Sequence, residues 1–273
     1  MVFADIRLAQ RLEAAEAANA RGCVPAVAGA ATLEIAGGCA IFAGAESPLT
    51  QAVGIGLTGP VSRAEVVEME AFFRSRGARV AVDLCPLADP GLLEMMGARG
   101  YHVTEFNNVL VKRLAGLEIV ATPRVRRATL AEADIWSQAV GRGFFEQAEL
   151  TTAEMDVGRA IFAMAGAMCY LACGPADGAA GSAGGPTRSA GAPAGGGALA
   201  IYGGLATLFA DSTMALFRRQ GLHTELIIAR LNEAVAQGCD MATASTLPGS
   251  GSQRNYERLG FEVAYTKVTL ADR

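Results

Sequence analysis

The stretch ATLFADSTMALFRRQGLHTELIIARLNEAVAQGCDMATA, from Ala206 to Ala244, constrains the fold more than any other part of the chain. It reads as a strand, an arginine-rich turn, a glycine, a long amphipathic helix and a second strand. Leu222, Leu226, Ile227, Leu231, Ala234 and Val235 recur at helical spacing up to Gln237, and Gly238 supplies the stop. A helix with one apolar face between two strands has to lay that face on a sheet, which makes the chain α/β. The turn also has a chemical meaning. The first amides of a helix lack intrahelical partners and lie at the positive end of its dipole. Preceded by Arg218, Arg219 and Gly221, which admits close backbone approach, they form an anion site. An isolated arginine pair is ordinarily a solvated charge; the glycine and the helix behind it favour the anion reading.

The remainder alternates in the same way. Ser62-Arg63-Ala64-Glu65 is a capping box opening a helix with Val66, Met69 and Phe73 on one face and Gly77 at its end; Thr151 to Glu154 is a second box. The charged start, with Asp5, Arg7, Arg11 and Glu13, reads as an amphipathic helix rather than a signal peptide. A boundary near residue 117 divides the chain into 1–117 and 118–273, each large enough for a domain. The halves echo one another. AVDLCPLADPGLLEMMGARGYHV and CDMATASTLPGSGSQRNYERLGFEV each read as strand, Pro-Gly opening, short helix and Gly-aromatic-x-Val, with Gly100 matching Gly260. Residues 174–197, mostly Gly, Ala, Pro and Ser between two apolar runs, read as a flexible, dispensable hairpin loop.

Composition limits the partners. Half of the 273 residues are hydrophobic and the formal net charge is −4, so the chain is folded and has no general attraction for nucleic acid or anionic membranes. The longest uncharged apolar run, Ala160 to Gly174, is short of a membrane span and reads as a helix end entering a buried strand. Six scattered cysteines without a C-x-x-C pair, and only two histidines, argue for reduced buried thiols, a cytoplasmic protein and no metal.

The turn Phe217 to Ile227, FRRQGLHTELI, resembles motif A of the GNAT acetyltransferases, R/Q-x-x-G-x-G/A, with Arg218 and Gly221 on the first two defined positions and His223 where Gly or Ala is usual. Thirty-five residues after Gly221, Tyr256-Glu257-Arg258-Leu259-Gly260-Phe261 is similar to the Y-x-x-x-G-F signature of motif B. The resemblance covers roughly Val125 to Leu270. It implies two tandem GNAT-like domains, each a mixed, mostly antiparallel sheet flanked by helices, the first a degenerate copy. That copy lacks the cofactor turn: its junction reads GLTGPVSRAEV, with Pro60 removing an amide.

The resemblance further implies acetyl-CoA as co-substrate. The turn Arg218, Arg219, Gln220, Gly221, Leu222, His223 and Thr224 would hold its pyrophosphate. Amides of Ser212, Thr213 and Met214 would align the pantetheine, Ser252 and Asn255 would contact that arm, and Tyr256 would protonate the departing thiolate. Tyr256 could equally be a packing aromatic. His223 is expected to be structural, with its side chain turned from the cofactor, and His102 incidental. Asp211, Glu146 and Glu149 are open candidates for the base that an amine nucleophile requires. The acceptor would be a small-molecule or peptide primary amine, and the sequence leaves room for a homodimer. Two other readings stand beside the enzyme: a non-catalytic acyl-CoA-binding or regulatory protein, and a scaffold without CoA.

Overall fold

The computed structural model describes residues 4–175 and 191–272. In chain order its elements are α1 (Ile6–Gly22), β1 (Ala31–Ile35), β2 (Gly38–Phe42), β3 (Gln51–Val53), α2 (Arg63–Arg74), β4 (Ala81–Leu84), α3 (Pro90–Ala98), β5 (His102–Arg113), β6 (Val125–Arg127), α4 (Ala133–Phe144), α5 (Thr152–Phe162), β7 (Met168–Cys173), β8 (Pro193–Tyr202), β9 (Leu205–Thr213), α6 (Leu222–Ala236), β10 (Met241–Thr246), α7 (Gly251–Arg258) and β11 (Glu262–Ala271). Both capping boxes form as the sequence requires, at Ser62 and Thr151, and α1 starts on Asp5, whose carboxylate accepts from the Leu8 amide. Among the described residues no helix is long and apolar enough to cross a membrane. All six cysteines are buried free thiols.

The described residues form two compact units. The first takes the chain up to Arg113, Ile201–Thr207 and the chain from Met241 onward; the second takes Leu114–Ala200 and Leu208–Asp240. The first crossing falls close to the sequence division at 117, but the end of the chain returns to the first unit. The reason is an exchange of strands. In the first unit the order is β1-β2-β3-β4-β11-β5-β10, antiparallel throughout except for β3 and β4. The repeats β4-α3-β5 and β10-α7-β11 thus interleave: β11 fills the gap between β4 and β5, and β10 lies on the far side of β5. The echo between the halves is structural. Gly100 and Gly260 share a left-handed backbone, and the Tyr101 and Phe261 amides reach back to Met96 and Tyr256 carbonyls, both at 3.1 Å.

In the second unit β6, β7 and β8 pair antiparallel, with β9 beside β8. Trp136 of α4 is fully buried against Val140, Cys169, Leu171 and Ala198, and its indole N–H donates to the Tyr170 carbonyl. Of the expected loop 174–197, residues 176–190 lie outside the described residues. Its last part is not a loop: Pro193 to Gly197 are strand, with Gly195, Gly196 and Gly197 opposite Ala172, Leu171 and Tyr170. Packing density explains why glycines stand there. A Cβ on Gly195 would lie 2.3 Å from the Ser212 carbonyl oxygen, and one on Gly196 2.9 Å from both the Trp136 indole nitrogen and the Tyr170 carbonyl oxygen. These residues are packed strand rather than loop.

The first unit also buries a charged cluster under α1. Lys267 of β11, 1% exposed, pairs with Glu16 and, at 2.7 Å, with Asp83, and stands 3.8 Å from Glu13, which accepts a 2.7 Å bond from the Tyr265 hydroxyl. One cation faces three carboxylates. Burial pushes the Glu13 carboxyl up to about 7; Lys267 and the Tyr265 hydroxyl pull it down, while Glu16 and Asp83 add repulsion. The native state consequently keeps a proton on Glu13 at pH values where the unfolded chain, with an ordinary carboxyl near 4.5, has released it. Stability from that proton is complete below the unfolded value and is lost as pH rises through the folded one. Glu13→Gln, which keeps the shape and cannot ionise, should change urea stability little at about pH 5 but raise it at about pH 8, by on the order of 3 kcal/mol. The same increment at both pH values would show that Glu13 is not the titrating group.

Candidate functional site

The strand-to-helix junction of the second unit is built as follows. The Met214 amide, just past β9, donates to Ala194 at 2.9 Å, and a 3-10 turn follows at Ala215–Phe217. Arg219 (φ 62) and Gly221 (φ 79) both adopt left-handed backbone. Gly221 is the N-cap of α6 and brings no side-chain acceptor to the amides of Leu222, His223 and Thr224. The first intrahelical bond runs from Glu225 to the Gly221 carbonyl, 3.0 Å. An N-terminus whose N-cap glycine brings no capping side chain is the form an anion site requires.

The equivalent helix of the first half is closed. Ser62 caps α2 and its hydroxyl accepts from the Glu65 amide, while Glu65 accepts from the Ser62 amide and hydroxyl, both at 2.7 Å. Asp89 accepts from the Val61 amide at 2.9 Å. Bonds from the Ser62 amide and hydroxyl hold the Glu65 carboxyl below its ordinary range. The Ser62 hydroxyl takes one amide of the first turn, and the Glu65 and Asp89 carboxylates sit on the two amides just ahead of the helix, where they repel an anion.

The arginines of the turn play roles that spacing alone did not show. Arg218 is a strut: its guanidinium donates to Glu146 at 2.7 Å, the Gly143 carbonyl at 3.0 Å and the Thr213 carbonyl at 3.1 Å, tying the turn to the end of α4. Its charge is already matched by Glu146. Arg124, ahead of β6, is a group that the sequence reading missed. It binds Glu225 of the first helical turn through two nitrogens, Nε at 2.8 Å, and a Cβ on Gly221 would sit 3.4 Å from its Nη2. It neutralises a carboxylate that would otherwise repel an anion at α6. Nothing local marks this pair, since its members are 101 residues apart.

Asp211 of β9 pairs with Arg230, which lies two turns along α6 and has no exposed surface; the guanidinium also donates to the Ala198 carbonyl at 3.0 Å and the Leu226 carbonyl at 2.9 Å. Burial raises the Asp211 carboxyl, but attraction to Arg230 and the bonds from His223 and Arg230 outweigh it and leave the group well below the usual carboxylate range. Such a carboxylate is a poor proton acceptor, which removes Asp211 from the candidate bases. Glu146 is bound to Arg218, and both Glu146 and Glu149 are exposed. The His223 imidazole turns to Asp211, Nε2 to Oδ2 3.3 Å.

Ser212 Oγ donates to the Val140 carbonyl at 2.7 Å. With the Met214 amide committed to β8, the alternation of strand amides turns that of Thr213 the other way and Ser212 back toward β8. Ser252, Asn255 and Tyr256 lie on α7, in the first unit. Ser252 and Asn255 are half-buried; the Tyr256 ring, 1% exposed, packs edge-on against Phe261 with centroids 4.9 Å apart.

No family model and no curated protein matches the chain. Solved structures do. A GCN5-related N-acetyltransferase from Kribbella flavida is 21% identical, with 95% of each chain covered and a TM-score of 0.65. A tandem GNAT protein from the clavulanic acid biosynthesis pathway is 16% identical over 98% of this chain and 93% of its own, TM-score 0.60. A putative GNAT-family acetyltransferase from Novosphingobium aromaticivorans is 14% identical over 78% and 81%, TM-score 0.51. The fold of this chain is that of the GCN5-related N-acetyltransferases, in a layout matched by a tandem member.

The buried pair depends on the lack of a side chain at Gly197, where a Cβ would lie 2.8 Å from Arg230 Nη1 and 2.9 Å from Asp211 Oδ1. Gly197→Ala should cost roughly 2–4 kcal/mol in urea unfolding, combining overpacking with a disturbed buried ion pair. A loss below about 0.5 kcal/mol, the range of neutral surface changes, would show that the strand yields readily there.

Proposed function

We propose that the protein is an acyl-CoA-dependent N-acyltransferase, moving an acetyl group from acetyl-CoA to a primary amine of a small molecule or peptide. The observation that carries this reading is α6: on a GNAT fold, it starts from a left-handed glycine that brings no capping side chain, and the charge of Glu225 in its first turn is cancelled by Arg124. Amides of Leu222, His223 and Thr224 receive the pyrophosphate, with Arg219 adding positive charge. The Thr213 amide pairs with the pantetheine as a further strand would. Met214 leaves the binding set because its amide is used by β8, and Arg218 acts by shaping the turn.

The acceptor amine attacks the thioester carbonyl directly, losing its proton to a base; Glu146 and Glu149 keep the exposure that role needs. The motif B resemblance alone makes Tyr256, whose ring is buried against Phe261, the candidate to protonate the departing thiolate. Ser252 and Asn255 enter by the same resemblance. A binder without turnover is the second reading, and the engagement of Asp211 by Arg230 is the observation in its favour.

Calorimetry should find one acetyl-CoA per chain, the closed N-terminus of α2 taking none. Gly221→Pro should abolish binding while the far-UV spectrum is retained, because proline removes an amide and holds φ near −65° against the 79° observed. Undiminished affinity in the folded variant, or two sites per chain, would contradict the assignment. With an acceptor found by screening amines for thiol release, Tyr256→Phe should reduce kcat by about 100-fold, the low end of general acid catalysis, and leave the affinity for acetyl-CoA unchanged. Full turnover by that variant would take Tyr256 out of the mechanism. Binding with no thiol release from any amine would support the second reading.

A further inference from the structure

His223 occupies the second position of α6, where the resembling motif has Gly or Ala, and its imidazole is 15% exposed. Its Nε2 stands 3.3 Å from Asp211 Oδ2, while Oδ1 of the same carboxylate pairs with Arg230. Residues 223 and 230 are seven apart, so they lie on one face of the helix. The three side chains therefore make a double bond of attachment between α6 and β9: one at the interior of the helix through Arg230, one at its first turn through His223.

The first turn needs such an attachment for a physical reason. Ordinary helix starts are fixed by a capping side chain that accepts from the first amides, as Ser62 does for α2. A helix that offers those amides to a ligand has no such cap, and a glycine at the N-cap is the residue least restricted in its backbone. His223 holds the turn from the side instead, through its imidazole. Asp211 suits the task because Arg230 keeps it ionised and immobile, and Gly197 supplies the room that lets the two meet.

We infer that His223 is a positioning residue for the acyl-CoA turn, its bond to Asp211 pinning the first turn of α6 on β9 with the amides of Leu222, His223 and Thr224 directed to one anion. The inference rests on the proposed function for its ligand, but the pinning has a readout of its own.

The test compares wild type with His223→Ala and His223→Gln, the glutamine carrying an amide N–H at a reach similar to Nε2. Acetyl-CoA affinity is measured by calorimetry and amide hydrogen exchange at Glu225 and Leu226 in the free proteins. His223→Ala should weaken acetyl-CoA by about tenfold or more, the effect of one lost hydrogen bond to a charged group, and should speed exchange at both amides. His223→Gln should restore most of each. The thermal midpoint should stay within a few degrees, since the Arg230 pair remains. Equal affinity and equal exchange in His223→Ala would overturn the inference, as would a loss that glutamine does not repair. If wild type binds no acetyl-CoA, the proposed function falls and the cofactor role of His223 with it. The exchange rates then still decide whether the histidine pins the helix.

Discussion

A guanidinium with no surface in water requires a buried anion, and the second unit is arranged around that requirement. Arg230 reaches from α6 to Asp211 on β9, and either residue alone would leave an unmatched buried charge costing about 3–5 kcal/mol. The pair dictates its surroundings. Gly197 must lack a side chain to admit it, β8 must present the Ala198 carbonyl, and the helix must lie at the register that lets His223 use the second carboxylate oxygen. The same pair decides a chemical question: an aspartate kept ionised by a buried arginine orients its neighbours and does not collect protons from a substrate.

The two halves of the chain show how a repeated fold acquires or loses an anion site through side chains alone. α2 and α6 both follow a strand and a turn. In α2 Ser62 caps the first turn, and the Glu65 and Asp89 carboxylates lie on the amides just ahead of it; in α6 a left-handed glycine replaces the cap and Arg124 cancels Glu225. The first half has another occupation. Its strands accept β10 and β11 from the end of the chain, and at the place of Tyr256 it carries Met96, a buried residue without a hydroxyl.

Local signals were readable before the structure. Both capping boxes, the helix from Leu222, the glycine at its head and the Gly100 and Gly260 echo are carried by residues close in sequence, and all form. Long-range partners were not readable. Arg218 looked like a phosphate ligand because its acceptors, Glu146 and Gly143, lie more than seventy residues away. Gly195, Gly196 and Gly197 looked like the end of a low-complexity loop, since a strand that buries glycines against backbone and an indole has no hydrophobic pattern to reveal it. The strand exchange was hidden for a similar reason: the pattern shows that β11 is a strand, not that it lies between β4 and β5.

The central claim is that the open N-terminus of α6, and not that of α2, receives an acyl-CoA pyrophosphate. A nitrogen-resolved NMR titration of the intact protein with acetyl-CoA tests it most directly. The account predicts that the amide signals of Leu222, His223 and Thr224 move together and saturate at one equivalent, while those of Arg63, Ala64 and Glu65 stay in place. Movement at α2, or saturable binding that leaves Leu222 to Thr224 unchanged, would contradict it.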